Sequence, residues 1–321
     1  MKAIRIHELG GPEVLGYEDV PDPVPGEGDV VVELRAAALN HIDVWLRKGL
    51  PAPPHGLPHI LGADGAGVLV GTGERVVINP GLAHEGGIEV LGEHRDGTYA
   101  ELVAVPRSAV HPIPGDLGFE EAAAFPMAFL TAYRMLVTKA RLQPGEWVLI
   151  WGIGSGVSTA ALAIAKALGG RTIVTSSSDA KLERARELGA DATVNHWTED
   201  VPARVRELTG GGADIVIEHV GEATWNRSLA SAARDARIVV CGATSGPNPP
   251  AALNRIWWRE LTIMGSTMGT PEDFQGVWEL IDSGRARPVI DTVFPLAEAA
   301  AAHERLESAG QLGKIALRIP G

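Results

Sequence analysis

The residues best suited to chemistry in this chain form a glycine-spaced turn. Trp147-Val-Leu-Ile-Trp151 is an apolar run of strand length, and Gly152-Ile-Gly154-Ser155-Gly156-Val157-Ser158 follows it directly. Small residues continue at helical spacing from Thr159 to Leu168, and a second strand pattern, Arg171-Thr-Ile-Val-Thr175, comes one βαβ unit later. A strand that feeds a glycine turn opening a helix gathers bare backbone N–H groups and the positive helix end at one point. Such a point receives a pyrophosphate, so Gly152, Gly154, Ser155, Gly156 and Val157 are the expected dinucleotide cradle. Glycine turns alone more often mark ordinary loops; the flanking strand and helix make this one specific.

The end of the second strand bears on which dinucleotide is held. In NAD-preferring folds an Asp or Glu about 20 residues past the glycines accepts the ribose 2′-hydroxyl. Here that position falls at Ser176, in Thr175-Ser176-Ser177-Ser178-Asp-Ala-Lys181. Hydroxyls donate to a 2′-phosphate and Lys181 neutralises part of its charge, which points to NADPH rather than NADH. Serines ahead of a helix are also ordinary N-caps, and Asp179 stands close by.

Other chemistry-bearing residues are sparse. Cys241 is the one cysteine, set in the apolar run Arg237-Ile-Val-Val-Cys241, where it reads as a small core residue. A single cysteine excludes internal disulfides and multi-cysteine zinc sites. His55 and His59 have i,i+4 spacing, but Pro51, Pro53, Pro54 and Pro58 deny them a helix. His84-Glu85 and Glu93-His94 are further pairs that could bind a metal.

These groups need a scaffold, and the chain is long enough for two domains at 321 residues. A net charge of −12 without a Lys/Arg run argues against nucleic-acid binding, which depends on neutralising phosphates. No stretch approaches the roughly 18 apolar residues of a membrane span, and Met1-Lys-Ala-Ile-Arg-Ile-His7 alternates like a strand rather than a signal peptide. A cytoplasmic enzyme is expected. Residues 1 to about 120 read as short strands between Pro/Gly turns, the pattern of a partly closed barrel. From Phe119 a helical run follows, which Pro126 should kink or divide. Strand candidates at 146–151, 171–175, 214–218, 237–241 and 261–265, with another near Ala192-Thr-Val-Asn195, then alternate with helices at 155–168, 179–188, 199–208 and 224–234. That alternation predicts an α/β fold with a doubly wound parallel sheet. The tail offers a helix at 271–283, a strand at 288–293, a helix at 296–308 and a strand at 314–319.

Several segments together resemble the medium-chain dehydrogenase/reductase superfamily, in its zinc-free quinone oxidoreductase-like branch. They are Leu39-Asn40-His41-Ile-Asp43-Val-Trp45-Leu-Arg-Lys-Gly49, Leu61-Gly-Ala63-Asp64-Gly-Ala-Gly-Val68, Gly97-Thr-Tyr99-Ala-Glu101, Ala122-Ala-Ala-Phe-Pro126 with Leu130-Thr131-Ala-Tyr133, the glycine turn, Leu188-Gly-Ala-Asp191 and Gly313-Lys314. The resemblance covers nearly the whole chain. It implies a GroES-like barrel catalytic domain at 1–122, a Rossmann domain at 123–269 inserted into it, and a return to the barrel over 270–321. It also implies a cleft between the domains and a homodimer, or a tetramer, formed through the Rossmann sheet.

The departures from that family carry as much weight. At the positions where its alcohol dehydrogenases hold catalytic zinc, this chain has Asn40, Ala63 and Met127, with Asp64 in the acidic position. An amide, a methyl and a thioether cannot replace two thiolates and an imidazole. Residues 79–91 bridge the structural-zinc lobe without cysteine, so no metal is expected. The resemblance implies that Thr131, Val220, Gly242, Ala243, Thr244, Ser266 and Met268 line the cofactor and that Lys314 approaches its pyrophosphate. His41, Trp45, Asp64, His94 and Met127 are the expected substrate pocket. A metal-free site must polarise its acceptor by hydrogen bonds, which suits a quinone or an α,β-unsaturated carbonyl. Asn40 is the expected oxyanion donor and Tyr99 a candidate proton donor. Two alternatives stay open at this stage: an alcohol or aldehyde dehydrogenase with an atypical or vestigial zinc site, and a non-catalytic cofactor-sensing protein.

Overall fold

The alternating run after Gly28 becomes the ten-residue strand Asp29–Ala38, which organises the first of two units. The computed structural model describes residues 1–84 and 87–321, with no side chains described at 83–88. Glu85 and the His84 side chain, and with them this pair, therefore lie outside what is described. The first unit comprises Met1–Ala128, Ile281–Ser283 and Pro288–Gly321. Its main sheet runs in the order Val110–Pro112, Arg75–Ile78, Asp64–Leu69, Asp29–Ala38, Lys314–Arg318, Ile290–Pro295, with Leu102–Pro106 also paired to Asp29–Ala38. A smaller sheet joins Gly16–Asp19, Lys2–Ile6 and His59–Ile60. Ile4, Ile6, Leu34, Leu46, Leu61 and Ile78 fill the shared core and are fully buried.

The register of this sheet places the site. Ala38 lies opposite Asp64 on one side and Ala316 on the other. The end of one strand and the starts of two others thus meet in neighbouring rows, carrying Asn40, Asp64 and Lys314. Asn40 opens the helix His41–Arg47, and Asp43 at its third position accepts the Asn40 backbone N–H at 2.7 Å. The Asp43 N–H goes to the Asn40 backbone oxygen, so the Asn40 side chain is not spent on capping its own helix.

The second unit is Phe129–Leu280 with Gly284–Arg287. Its six strands are parallel, in the order Ala192–Asn195, Arg171–Ser176, Trp147–Ile150, Ala213–Glu218, Ala232–Val240, Thr262–Gly265. This is the doubly wound Rossmann order, with its switch point between Trp147–Ile150 and Ala213–Glu218. Trp147–Ile150 is buried throughout, as a parallel strand covered on both faces must be. Helices Gly156–Ala167, Asp179–Glu187 and Val201–Thr209 stand where the spacing predicts them. The fourth is shorter: Trp225–Ser231 ends early because Ala232 pairs with Ala213 in the sheet.

Two further expectations are refined. The helical run after Gly118 divides at the proline, into Phe119–Ala124 and Pro126–Tyr133, and continues as a π-helical segment, Arg134–Lys139. The boundary expected at 269/270 moves, because most of the helix Pro271–Asp282 packs in the second unit. Its Asp273 pairs with Arg134 at 2.8 Å and accepts from Thr138, and a side chain at Gly276 would collide with Tyr133. Among the described residues no helix is long and apolar enough to cross a membrane.

Candidate active site

Three strand ends in the first unit bring Asn40, Asp64 and Lys314 into one hydrogen-bonded cluster. The Lys314 ammonium donates to the Leu39 carbonyl (2.7 Å), to Asn40 Oδ1 (2.6 Å) and to Asp64 Oδ2 (2.9 Å). An ammonium has three protons, so this one is fully committed. Asp64 is wholly buried; its Oδ1 accepts the Met127 N–H at 2.8 Å, and its Oδ2 also accepts Asn40 Nδ2 at 2.9 Å. The other Asn40 N–H has only a long contact, 3.4 Å, to the Ala38 carbonyl. Asn40 itself is half-buried, whereas Asp64 and Lys314 are buried.

Behind Asn40 lies a second network. The Tyr99 hydroxyl donates to Asp43 Oδ2 at 2.9 Å and lies 3.4 Å from His303 Nε2. Burial pushes the Asp43 carboxyl up to about 6, with the Asn40 N–H and Tyr99 hydroxyl opposing. Burial, then the Asp43 charge, holds the Tyr99 phenol well above its ordinary range. Burial likewise pulls His303 down to about 3, helped by nearby Arg47. Arg47 is fully buried and pairs with Glu307.

These positions correct two expectations. Tyr99 is completely buried with its proton directed at Asp43, which withdraws it from substrate protonation. Lys314 has no N–H left for a pyrophosphate, since its three protons are held by backbone, amide and carboxylate oxygens. The remaining pocket residues divide. Met127 joins the cluster through its backbone, and His41 and Trp45 lie one helical turn apart, their rings tilted by 49° with centroids 6.3 Å apart. The hydrogen bond of His94 is local, its Nδ1 accepting the Val90 N–H at 3.1 Å. His59 is buried and held by the Gly92 carbonyl while His55 is exposed, so these two do not act as a pair.

Zinc does not fit this donor set. The oxygens of Asn40, Leu39 and Asp64 that could face a cation already share the Lys314 ammonium. Among the described residues no group of three or more His, Cys, Asp or Glu could hold a metal.

A dinucleotide does fit the second unit. Gly152 adopts φ +56°, the left-handed region open to glycine, and its N–H donates to Thr175 Oγ1 at 3.1 Å. Ser155 caps the helix Gly156–Ala167 by accepting the Ser158 N–H at 3.1 Å. Helix geometry leaves the Gly156 and Val157 N–H groups without intrahelical acceptors, the cradle a phosphate needs. Glu218, fully buried at the end of its strand, accepts the N–H of Val220 (2.9 Å) and Gly221 (3.1 Å) and the hydroxyls of Thr224 (2.8 Å) and Ser228 (2.5 Å). It thereby fixes the loop carrying His219 and Val220. His219 rests on the glycine turn, with Nε2 2.8 Å from Ser158 Oγ and 2.9 Å from the Trp151 carbonyl. The resemblance points to the segment Glu218–Gly221 as lining the cofactor but gives neither side chain a role; an acidic residue ending an apolar strand is the available signal for Glu218.

At the end of Arg171–Ser176, Ser176 is nearly buried and accepts the Ser178 N–H, while Ser178 caps the helix Asp179–Glu187. Ser177 is exposed, and Asp179 is engaged by Asn195 Nδ2 at 2.8 Å. Lys181 is half-buried on the first helical turn. Gly242, Ala243 and Thr244 follow the fifth strand, and Ser266, at the end of the sixth, donates its N–H to the Val240 carbonyl at 2.8 Å. Met268 is half-buried, and Thr131 is buried in the helix Pro126–Tyr133.

Comparison with known proteins agrees with both units. Residues 26–115 match the alcohol dehydrogenase GroES-like domain family, and residues 156–283 match the zinc-binding dehydrogenase family. A zinc-type alcohol dehydrogenase-like protein of Schizosaccharomyces pombe is 35% identical, covering 97% of each chain. A quinone oxidoreductase of Pseudomonas aeruginosa is 36% identical over 98% of this chain and 99% of its own. A solved NAD-dependent alcohol dehydrogenase superposes with a TM-score of 0.96 at 44% identity, covering all of both chains. With a GroES-like unit, a Rossmann unit and relatives spanning its full length, the chain belongs to the medium-chain dehydrogenase/reductase superfamily and is an NAD(P)H-dependent oxidoreductase.

Proposed function

We propose that this protein reduces quinones or α,β-unsaturated carbonyls with NADPH, without a metal. The observation that carries the reading is the Asn40 amide, whose second N–H has only a 3.4 Å internal contact and whose residue is half-buried. A bound nicotinamide supplies the hydride. Its arrival at the β-carbon of an enone, or at a quinone, moves an electron pair onto the acceptor oxygen. Asn40 donates to that oxyanion, an interaction of a kind worth about 3 kcal/mol in a transition state. Water supplies the proton that completes the reduction, since Tyr99 is committed to Asp43. His41, Trp45 and Met127 line the acceptor side.

In this reading Gly152, Gly154, Ser155, Gly156 and Val157 hold the pyrophosphate, and Ser176, Ser177 and Lys181 the 2′-phosphate. Asp179, already hydrogen-bonded to Asn195, opposes a 2′-phosphate less than a free carboxylate would. Val220, Gly242, Ala243, Thr244, Ser266, Met268 and Thr131 serve the nicotinamide end. The protein acts as a homodimer through the edge strand Thr262–Gly265, beside which Trp257 and Trp258 are 63% and 68% exposed.

One observation favours a second reading, NAD+-linked alcohol oxidation: the 44% identity to an NAD-dependent alcohol dehydrogenase. NADPH and NADH consumption with a panel of quinones and enones, EDTA present throughout, separates the two. Turnover with NADPH under EDTA supports the proposal. Silence there, with alcohol oxidation by NAD+ once zinc is added, refutes it.

A further inference from the structure

Lys314 and Asp64 form a buried ion pair, 4% and 0% exposed, with Nζ 2.9 Å from Oδ2. Buried ion pairs contribute little net stability, because desolvating both charges offsets their attraction. This pair does something more specific: it dictates which way the Asn40 amide points. An ammonium has no acceptor, so only Oδ1 can face Lys314; a carboxylate has no proton, so only Nδ2 can face Asp64. Both contacts are short, 2.6 Å and 2.9 Å, and turning the amide over would set donor against donor and acceptor against acceptor. The Met127 N–H on Asp64 Oδ1 and the Leu39 carbonyl on Lys314 hold the two charges themselves in place.

We infer that Lys314 and Asp64 are positioning residues for the reduction: they lock the Asn40 amide with its second N–H available and polarise it. The inference rests on the oxyanion reading of Asn40. A cation bonded to the amide oxygen draws electron density from the nitrogen, which makes the outward N–H a stronger donor. The charge that a metal would apply directly to an acceptor oxygen is here applied through one amide, by a lysine that cannot dissociate.

The test compares wild type, Lys314→Met, Lys314→Arg, Asn40→Ala and the Lys314→Met/Asn40→Ala double variant. Each is checked by thermal melting, then assayed for acceptor kcat and KM and for the NADPH Kd by fluorescence titration. Lys314→Met should lower kcat about tenfold or more while the NADPH Kd stays within about twofold. Lys314→Arg, which keeps the charge, should recover part of the loss. The lysine change should add little in the Asn40→Ala background, because residues acting through one group are not additive. A raised NADPH Kd with unchanged kcat at saturation would instead assign Lys314 to the cofactor and overturn the inference. So would losses that simply multiply. If Asn40→Ala keeps full kcat, the oxyanion reading itself fails. If Asn40→Ala is impaired but Lys314→Met is not, only the positioning role fails. Should Lys314→Met not fold, Asp64→Asn is read the same way, since it loosens the grip on Nδ2.

Discussion

Asp43 and His303, joined through the Tyr99 hydroxyl, should make the first unit's acid response separable into two opposed parts. Burial pulls His303 from its ordinary 6.5 to about 3. Between those values the unfolded chain binds a proton that the folded one refuses, so stability falls as pH falls. Burial pushes Asp43 the other way, from 3.8 to about 6. Between those values the folded state holds the extra proton, so stability rises as pH falls. Linkage from pH 7 to pH 5 puts the histidine's cost at about 2 kcal/mol and the aspartate's return at about 1 kcal/mol. In the wild type the two partly cancel and the histidine's cost prevails. Asp43→Asn keeps an oxygen for the Asn40 N–H and the Tyr99 hydroxyl but cannot titrate. It should make the unit about 1 kcal/mol more acid-sensitive than wild type over that interval, and His303→Gln about 2 kcal/mol less so. Hydrogen-exchange mass spectrometry on Asp29–Ala38, corrected for intrinsic exchange at each pH, gives the opening free energy of this unit. Taking each variant's change against the wild type's cancels every other titrating group. Shifts of the same sign in the two variants, or below about 0.5 kcal/mol in both, would refute the assignment of opposite burial effects to this pair.

The other predictions concern the second unit. Glu218→Gln turns an amide NH2 toward groups that donate to the carboxylate now, and should cost about 2–3 kcal/mol in thermal or urea unfolding. It should also weaken NADPH binding, by loosening the loop that carries Val220. Ser177→Asp adds a charge at an exposed position of the expected 2′-phosphate site; NADPH titration should show a Kd raised about tenfold, with NADH little changed. Ile263 on the edge strand is 39% exposed, and Ile263→Lys should shift the protein to a monomer in light scattering, while NADPH binding persists.

The Rossmann unit was readable because each of its signals is local. Buried parallel strands must be continuously apolar, as Trp147–Ile150 is, and the glycine at 152 is required by a positive φ set within a few residues. The misplaced features depended on distant partners. Residues 232–234 scan as helix, yet the sheet claims Ala232 through Ala213, nearly twenty positions upstream. The helix Pro271–Asp282 follows the sixth strand as a return segment would, but Asp273 answers Arg134 and Thr138.

The same distinction explains the Asn40–Asp64–Lys314 cluster. Asn40, Asp64 and Met127 could be named because each sits inside a recognisable segment, but what they do was decided elsewhere. Lys314 is 274 residues from Asn40 in sequence and 2.6 Å from it in space, because Ala316 pairs with Ala38. A lysine beside a glycine near the end of a dinucleotide-binding chain suggests a phosphate. Only the register of three antiparallel strands reveals that its charge is spent on an amide and a carboxylate. Tyr99 follows the same rule, since a tyrosine hydroxyl reads as a proton donor until burial and Asp43 claim it. Residue type shows which chemistry a side chain could perform. Which chemistry it is free to perform depends on which neighbours the fold has already given it.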